Sequence, residues 1–190
     1  MSRPISYDPD AALERAVDLF WTRGYQALSV DDIVRETGIN RHSLYSRYGN
    51  KYGLLQAALD RYCESTLAHL GAAVSVPSTP RQRIENLYRL RLPDVADTFW
   101  RRMLEHGCFG IRVVSELRES HPELAQLGMV FSRAIEGLLT PIVQEGQQQG
   151  DFRTDVPAAP PARVLAVGFM APLMLPADEA RNRAFLAVLG

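Results

Sequence analysis

The chain has 190 residues, with 21 basic against 22 acidic side chains, 46% apolar and 8% aromatic residues, and two cysteines. This suffices for one domain or a small domain beside a larger one, burying roughly 70% of the unfolded surface. No run approaches the ~18–20 apolar residues of a membrane span, the first ten residues lack a charged-then-apolar signal pattern, and two cysteines exclude a disulfide scaffold or a cysteine-based zinc site. The expectation is a soluble, cytoplasmic protein with no membrane association, no metal and no cofactor.

Periodicity is helical almost throughout, so the fold class reads as all-α, with about nine to ten helices. Asp8-Pro9 is a cap followed by a first-turn proline, and Ala12, Leu13, Ala16, Val17 and Phe20 form one stripe that stops near Gly24. Ser29-x-x-Asp32 has the form of a capping box and opens a two-turn helix ending at Gly38. Asn40 caps a short third helix, and Asn50 a longer fourth with Leu54, Leu55, Ala58, Leu59 and Tyr62 on one side. Val76 to Pro80 marks a joint. Further helices are expected at 81–92, 95–106, 109–119, 122–149, 162–175 and 177–189, with a proline-rich loop at 151–161.

A net charge of −1 argues against a nucleic-acid partner, but the distribution matters more than the sum. From Gly38 to Leu59 the chain carries Arg41, Arg47, His42 and its sole lysine, Lys51, and no acid. The second and third helices, joined at Gly38-Ile39-Asn40, form a helix-turn-helix whose second helix presents its outer face. With Leu44 and Tyr48 turned inward, Arg41, His42, Ser43, Tyr45 and Ser46 are donors on the remaining surface. Arginine suits guanine edges or phosphate, His42 and the serines are short donors, and the Tyr45 hydroxyl suits a phosphate oxygen. Lys51 at the start of the fourth helix, and Ser29 at the start of the second, are placed for backbone phosphate.

The segment from Ser29 through Gly38, Leu44-Tyr45, Tyr48 and Lys51 resembles the DNA-binding segment of the TetR family of transcriptional regulators. The resemblance covers roughly residues 10–62. Tyr48 stands where Phe is usual, Tyr52 where Glu is usual, and His42 where Gly is frequent, so no operator sequence carries over. The resemblance implies DNA contacts from Ser29, Asn40, Arg41, His42, Ser43, Tyr45, Ser46, Arg47 and Lys51. It implies an N-terminal DNA-binding domain at 1–60 and a helical effector-binding and dimerisation domain at 61–190. The expected function is a homodimeric, one-component regulator, a repressor released from palindromic double-stranded operator DNA by a small-molecule effector. The alternative is a helical small-molecule-binding or interaction protein without specific DNA readout.

The remainder resembles the family only loosely, although His106-Gly107-Cys108 leading into Ser115-Glu116-Leu117 is similar to a helix opening in one subset. Expected effector-lining residues are Trp100, Met103, His106, Phe109, Arg112 and Phe131, since ligand pockets are largely apolar with few polar anchors. The expected subunit interface is Leu138, Leu139, Val143, Leu165, Val167 and Phe169. Cys108, near a helix start, is either a reactive thiol or plain core. His106, Cys108 and His121 lack the oriented partners of a hydrolase, so no enzyme is expected, and His69, His106 and His121 lack the spacing of a metal-ligand pair.

Overall fold

The Asp8 carboxylate accepts the amides of Asp10 and Ala11 at 3.0 and 3.3 Å, and Pro9 fills the first turn, which fixes where α1 (Pro9–Arg23) begins. The computed structural model describes residues 8–92 and 96–171. α2 (Val30–Thr37) opens on the capping box read from the sequence, with Ser29 and Asp32 bonding each other's backbone amides. α3 (Arg41–Tyr48) and α4 (Lys51–Val74) are capped by Asn40 and Asn50 as expected. After the Val76–Pro80 joint come α5 (Pro80–Arg89), capped by Thr79 and Gln82, then α6 (Thr98–His106) and α7 (Phe109–Leu117). A 3₁₀ turn (Pro122–Gln126), α8 (Leu127–Gln149) and α9 (Ala159–Met170) complete the described chain, which is all-helical among the described residues.

Several expected boundaries move. α7 stops at Leu117 rather than 119 because the His121 amide and the Ser120 hydroxyl take the Leu117 carbonyl at 2.7 and 3.2 Å. The helix expected from Pro122 begins as a 3₁₀ turn, and α8 starts only at Leu127, with no side chain capping either start. α9 starts three residues early, since Pro160 and Pro161 sit in its first turn, where their missing amides cost nothing. Val95, Leu175 and the helix expected at 177–189 lie outside the described residues. The division expected after residue 60 falls inside α4, a continuous rod of 24 residues, about 36 Å long.

α4 packs on α1 and α3 and also on α5, α7 and α8, while α8 packs on α9 and α5. One core runs through all of them, from Ala12 and Ala16 through Leu54, Leu55 and Ala58 to Ile135, Leu139 and Phe169. At its middle, Trp21 meets Tyr62 edge-on at 5.1 Å, and Tyr62 meets Phe109 edge-on at 5.5 Å. The α3–α4 turn depends on Gly53, where a Cβ would stand 1.8 Å from the Tyr48 carbonyl oxygen. Gly53→Ala is therefore expected to lower stability by about 1–3 kcal/mol, because backbone rather than a flexible side chain must move. Thermal unfolding checks this, and an unchanged midpoint would refute the close approach.

Candidate nucleic-acid interface

The turn between α2 and α3 is held from three sides. Gly38 takes φ +76, the left-handed conformation that ends α2. The buried Thr37 hydroxyl donates to the Ile33 carbonyl at 2.6 Å and accepts the Ile39 amide at 3.2 Å. The Thr37 carbonyl accepts both Nε and Nη2 of Arg15 from α1, at 2.9 and 2.7 Å. Asn40 Oδ1 accepts the Ser43 amide at 2.8 Å, and Ile39 and Leu44 are fully buried. α3 thus sits on a frame in which the Gly38, Ile39, Ser43 and Leu44 amides and the Thr37 carbonyl all have partners.

On that frame Arg41, His42, Tyr45, Ser46 and Arg47 are exposed and Ser43 is half-buried. Tyr45 is 49% accessible, a large ring left in water. α3 itself carries no carboxylate. The structure nevertheless brings one to it: the Arg41 guanidinium donates to Asp31 of α2, ten residues away in sequence. α2 also carries Asp32 and Glu36, which engage Arg35 at 2.6 and 3.0 Å. The Ser29 hydroxyl and Arg35 hold the Asp32 carboxyl far below the usual carboxylate range.

Two residues expected to contact phosphate also have partners within the chain. The Ser29 hydroxyl is exposed but already donates to Asp32 Oδ2 at 2.6 Å and accepts the Asp32 amide at 3.1 Å, so its first role is to cap α2. The Lys51 ammonium does not project outward. It donates to the Leu28 carbonyl and lies 4.1 Å from the centre of the Tyr25 ring, where burial lowers its pKa and the Glu116 carboxylate opposes that shift. Lys51 therefore stitches the start of α4 to the α1–α2 loop.

The same loop is gripped from the other side. Glu116 of α7 accepts the amides of Tyr25 and Gln26 at 2.9 and 2.6 Å. Nearby, the Trp21 indole donates to the Gly107 carbonyl at 2.9 Å, and Arg102 donates to Asp18 at 2.5 Å while lying 5.1 Å from the Trp21 ring centre. At the start of α4, Tyr52 stacks on His121 at 3.7 Å and donates to Glu123 at 2.7 Å. Burial and that carboxylate push the Tyr52 phenol up to about 12. α1–α4 are thus bonded to α6, α7 and the 3₁₀ turn through polar contacts that sequence reasoning missed, because the partners lie 71 to 91 residues apart.

A profile of bacterial regulatory proteins, tetR family, matches residues 12–58, the span holding this frame. Residues 12–58 are thus a TetR-family DNA-binding segment. It is 33% identical over 123 residues to the HTH-type transcriptional repressor ComR of Escherichia coli, covering 65% of this chain and 57% of ComR. Over 166 residues it is 27% identical to the uncharacterised HTH-type regulator YezE of Bacillus subtilis, covering 83% and 81% of the two chains. The match to ComR thus spans a little over half of that relative's length. In fold it resembles the TetR-family regulator CifR, a cysteine mutant solved with 26-base-pair operator DNA, with a TM-score of 0.72, 22% identity and coverage of 99% and 97%. A TetR-family regulator from Cytophaga hutchinsonii superposes with a TM-score of 0.79 at 18% identity, covering 95% and 90%.

Beyond residues 12–58, the other expected residues fall in the following places. Trp100, Met103, Phe109 and Phe131 are core side chains, His106 is exposed at the end of α6, and Arg112 is half-buried. Of the expected interface, Leu139, Val143 and Phe169 are at most 3% accessible within their own chain, so they are not free to meet a partner. The reason is that α8 and α9 pack on each other, and Phe169 is walled in by Tyr88 and Trp100. Leu138 and Leu165 are half-buried, and Val167 is exposed. Besides the expected Val167, the exposed large apolar residues of these helices are Met129 and Val130 on α8 and Val164 on α9.

The Tyr62 hydroxyl donates to the buried Cys108 sulfur at 3.4 Å, while burial pushes the Cys63 thiol up to about 12. At pH 8 the Cys63 thiolate fraction is then on the order of 10⁻⁴. Alkylation of Cys63 by iodoacetamide is expected to be at least a hundredfold slower than that of free cysteine, rising about tenfold per pH unit; peptide-resolved labelling checks it. Glu116→Ala is expected to cost about 1.5–3 kcal/mol through two lost charge-assisted hydrogen bonds, read as a lower unfolding midpoint.

Proposed function

We propose that this chain is a ligand-responsive, DNA-binding transcriptional regulator acting as a cytoplasmic homodimer, with no enzymatic activity of its own. The observation that carries the reading is the outward face of α3, on which Arg41, His42, Tyr45, Ser46 and Arg47 stand exposed on a helix without a carboxylate. These side chains offer a fork for guanine edges, short donors, and a hydroxyl on a ring for phosphate. A helix of eight residues on a fixed turn fits a major groove, and the helix-turn-helix frame delivers it there. ComR and the similar BdcR of Escherichia coli are described as repressors, and CifR has been solved on operator DNA, which supports repression as the direction of control.

Base reading is assigned to Arg41, His42, Ser43 and Ser46, and phosphate contact to Ser29, Tyr45, Arg47 and the amides at the start of α4. Asn40 acts through the turn, as the cap of α3. Lys51 reaches phosphate only by leaving the Leu28 carbonyl. Exposed Met129, Val130, Val164 and Val167 are assigned to the subunit interface, with half-buried Leu138 and Leu165 beside them. Two α3 helices about 34 Å apart, or a simple multiple, require a near-palindromic operator. An effector that prefers a dimer with a different α3 separation releases DNA by shifting that equilibrium.

Fluorescence anisotropy on DNA from upstream of the chain's own gene, with random competitor, is expected to show competitor-resistant binding. The slope of log affinity against log salt is expected at roughly −2 to −4, for one or two phosphate-neutralising cations per subunit, Arg47 and, once released from the Leu28 carbonyl, Lys51. Arg41→Ala is expected to remove most of the preference over random DNA, and equal losses on both DNAs would overturn its base-reading role. Sedimentation is expected to show a dimer at micromolar concentration that Val164→Asp with Val167→Asp dissociates. A wild-type monomer would overturn the dimeric reading.

A further inference from the structure

A cavity of about 690 Å³ lies between α5, the end of α8, the α8–α9 connection and the start of α9. Its size is that of ordinary ligand pockets, about 300–1,000 Å³. Its walls are apolar: Ile84 from α5, Val143 from α8, Phe152 and Val156 from the connection, and Pro161 and Leu165 from α9. None of the residues expected from the sequence to line an effector site belongs to it.

The connection that forms one wall is fixed in place. The Gln147 amide group donates to the carbonyls of Arg153 and Val156 at 2.9 and 2.8 Å, using both of its hydrogens. Phe152 lies on Gly146 so closely that a Cβ there would come within 2.2 Å of its ring. The rim carries two matched pairs, Arg81 with Glu85 at 3.2 Å and Arg153 with Asp155, and the exposed carboxylate of Asp151. An anionic ligand entering this space gives up hydration, meets the Asp151 carboxylate and finds both arginines of the rim already paired with carboxylates.

We infer that this cavity binds a neutral, largely apolar small molecule, and that it is the effector site of the regulator proposed above, on whose ligand-responsive character the inference rests. Its position suits that task. Arg83, on the same helix as Ile84, donates to the Val74 carbonyl at the end of α4 at 2.6 Å and to Glu145 of α8 at 2.7 Å. A molecule that spreads α5 from α8 therefore loads the far end of the rod that begins beside α3. Trp100 is the competing anchor, since its buried indole N–H has no acceptor among the described residues, but it is packed against Phe99 and Phe169 at 5.5 and 5.7 Å between ring centres.

The test uses N-phenyl-1-naphthylamine, a neutral apolar fluorophore, and its anionic relative 8-anilinonaphthalene-1-sulfonate, on the full chain. The neutral probe is expected to bind saturably at one site per chain and the anion at least tenfold more weakly; equal affinities overturn the neutral-ligand assignment. Hydrogen exchange with the neutral probe is expected to show protection at 81–85 and 147–165, whereas protection confined to 99–109 places the site at Trp100 and overturns the cavity. Val156→Trp fills the space and is expected to weaken the neutral probe at least tenfold, with unfolding midpoint and anisotropy on DNA unchanged. Should it fail to fold, Val156→Asp, a carboxylate in the same wall, serves in its place with the same expected loss. Probe binding indifferent to the variant that folds refutes the site. Loss of the regulator reading would appear separately, as wild-type chain without competitor-resistant DNA binding.

Discussion

Trp21 is the side chain through which the two ends of this molecule are one body. It leaves α1 fully buried, rests its edge contact on Tyr62 of α4, lies 6.2 Å from the Phe109 ring of α7, and gives its only donor to the Gly107 carbonyl. An aromatic of this size contributes several kcal/mol of burial, and edge-to-face partners add roughly 0.5–1.5 kcal/mol beyond the area removed from water. Ala12, Ala16 and Phe20 extend the same apolar packing of α1, while the exposed polar pair of Arg102 with Asp18, individually weak, reaches α6. The orientation of α3 is consequently a property of the whole core and not of its short helix alone.

Around that anchor the polar contacts have a division of labour. Glu116 and Lys51 hold the α1–α2 loop from opposite sides, one by accepting its amides and one by donating to its carbonyl. Tyr52, His121 and Glu123 fasten the start of α4 to the 3₁₀ turn. A displacement of α7 or of that turn is thereby conveyed to the segments flanking α2 and α3. Buried contacts resist such movement, whereas half-exposed hydrogen bonds exchange at little net cost, so the seam between the reading helices and the remainder is where repacking is least expensive.

The sequence was most legible where the physics is local. The caps at Asp8, Ser29, Asn40 and Asn50 bond amides two or three residues away, so residue type and spacing sufficed. The α3 surface followed from the same logic, because Leu44 had to face inward. What escaped was contact at a distance: Asp31 on Arg41, Leu28 on Lys51, Glu116 on the Tyr25 amide. The fourfold apolar spacing of Leu139 and Val143 is the same whether a helix buries them in its own core or against a second copy, and only the docking of α9 decided it. Likewise the aromatics near Trp100 carried the composition of a pocket but were used as packing, while Val156 and Phe152 lay in a proline-rich connection that shows no periodicity.

The Arg41–Asp31 pair bears on how such a surface would distinguish one duplex from another. On the proposed reading, every DNA encounter first asks the guanidinium to give up a carboxylate, and the phosphate lattice must tolerate Asp31 beside it. That toll is levied equally on all sequences. A lone phosphate oxygen returns little more than the carboxylate did, whereas the two acceptors of a guanine edge return a forked pair. The acid therefore shortens dwell times on random sequence more than on the operator, trading affinity for selectivity in a genome where wrong sites vastly outnumber right ones.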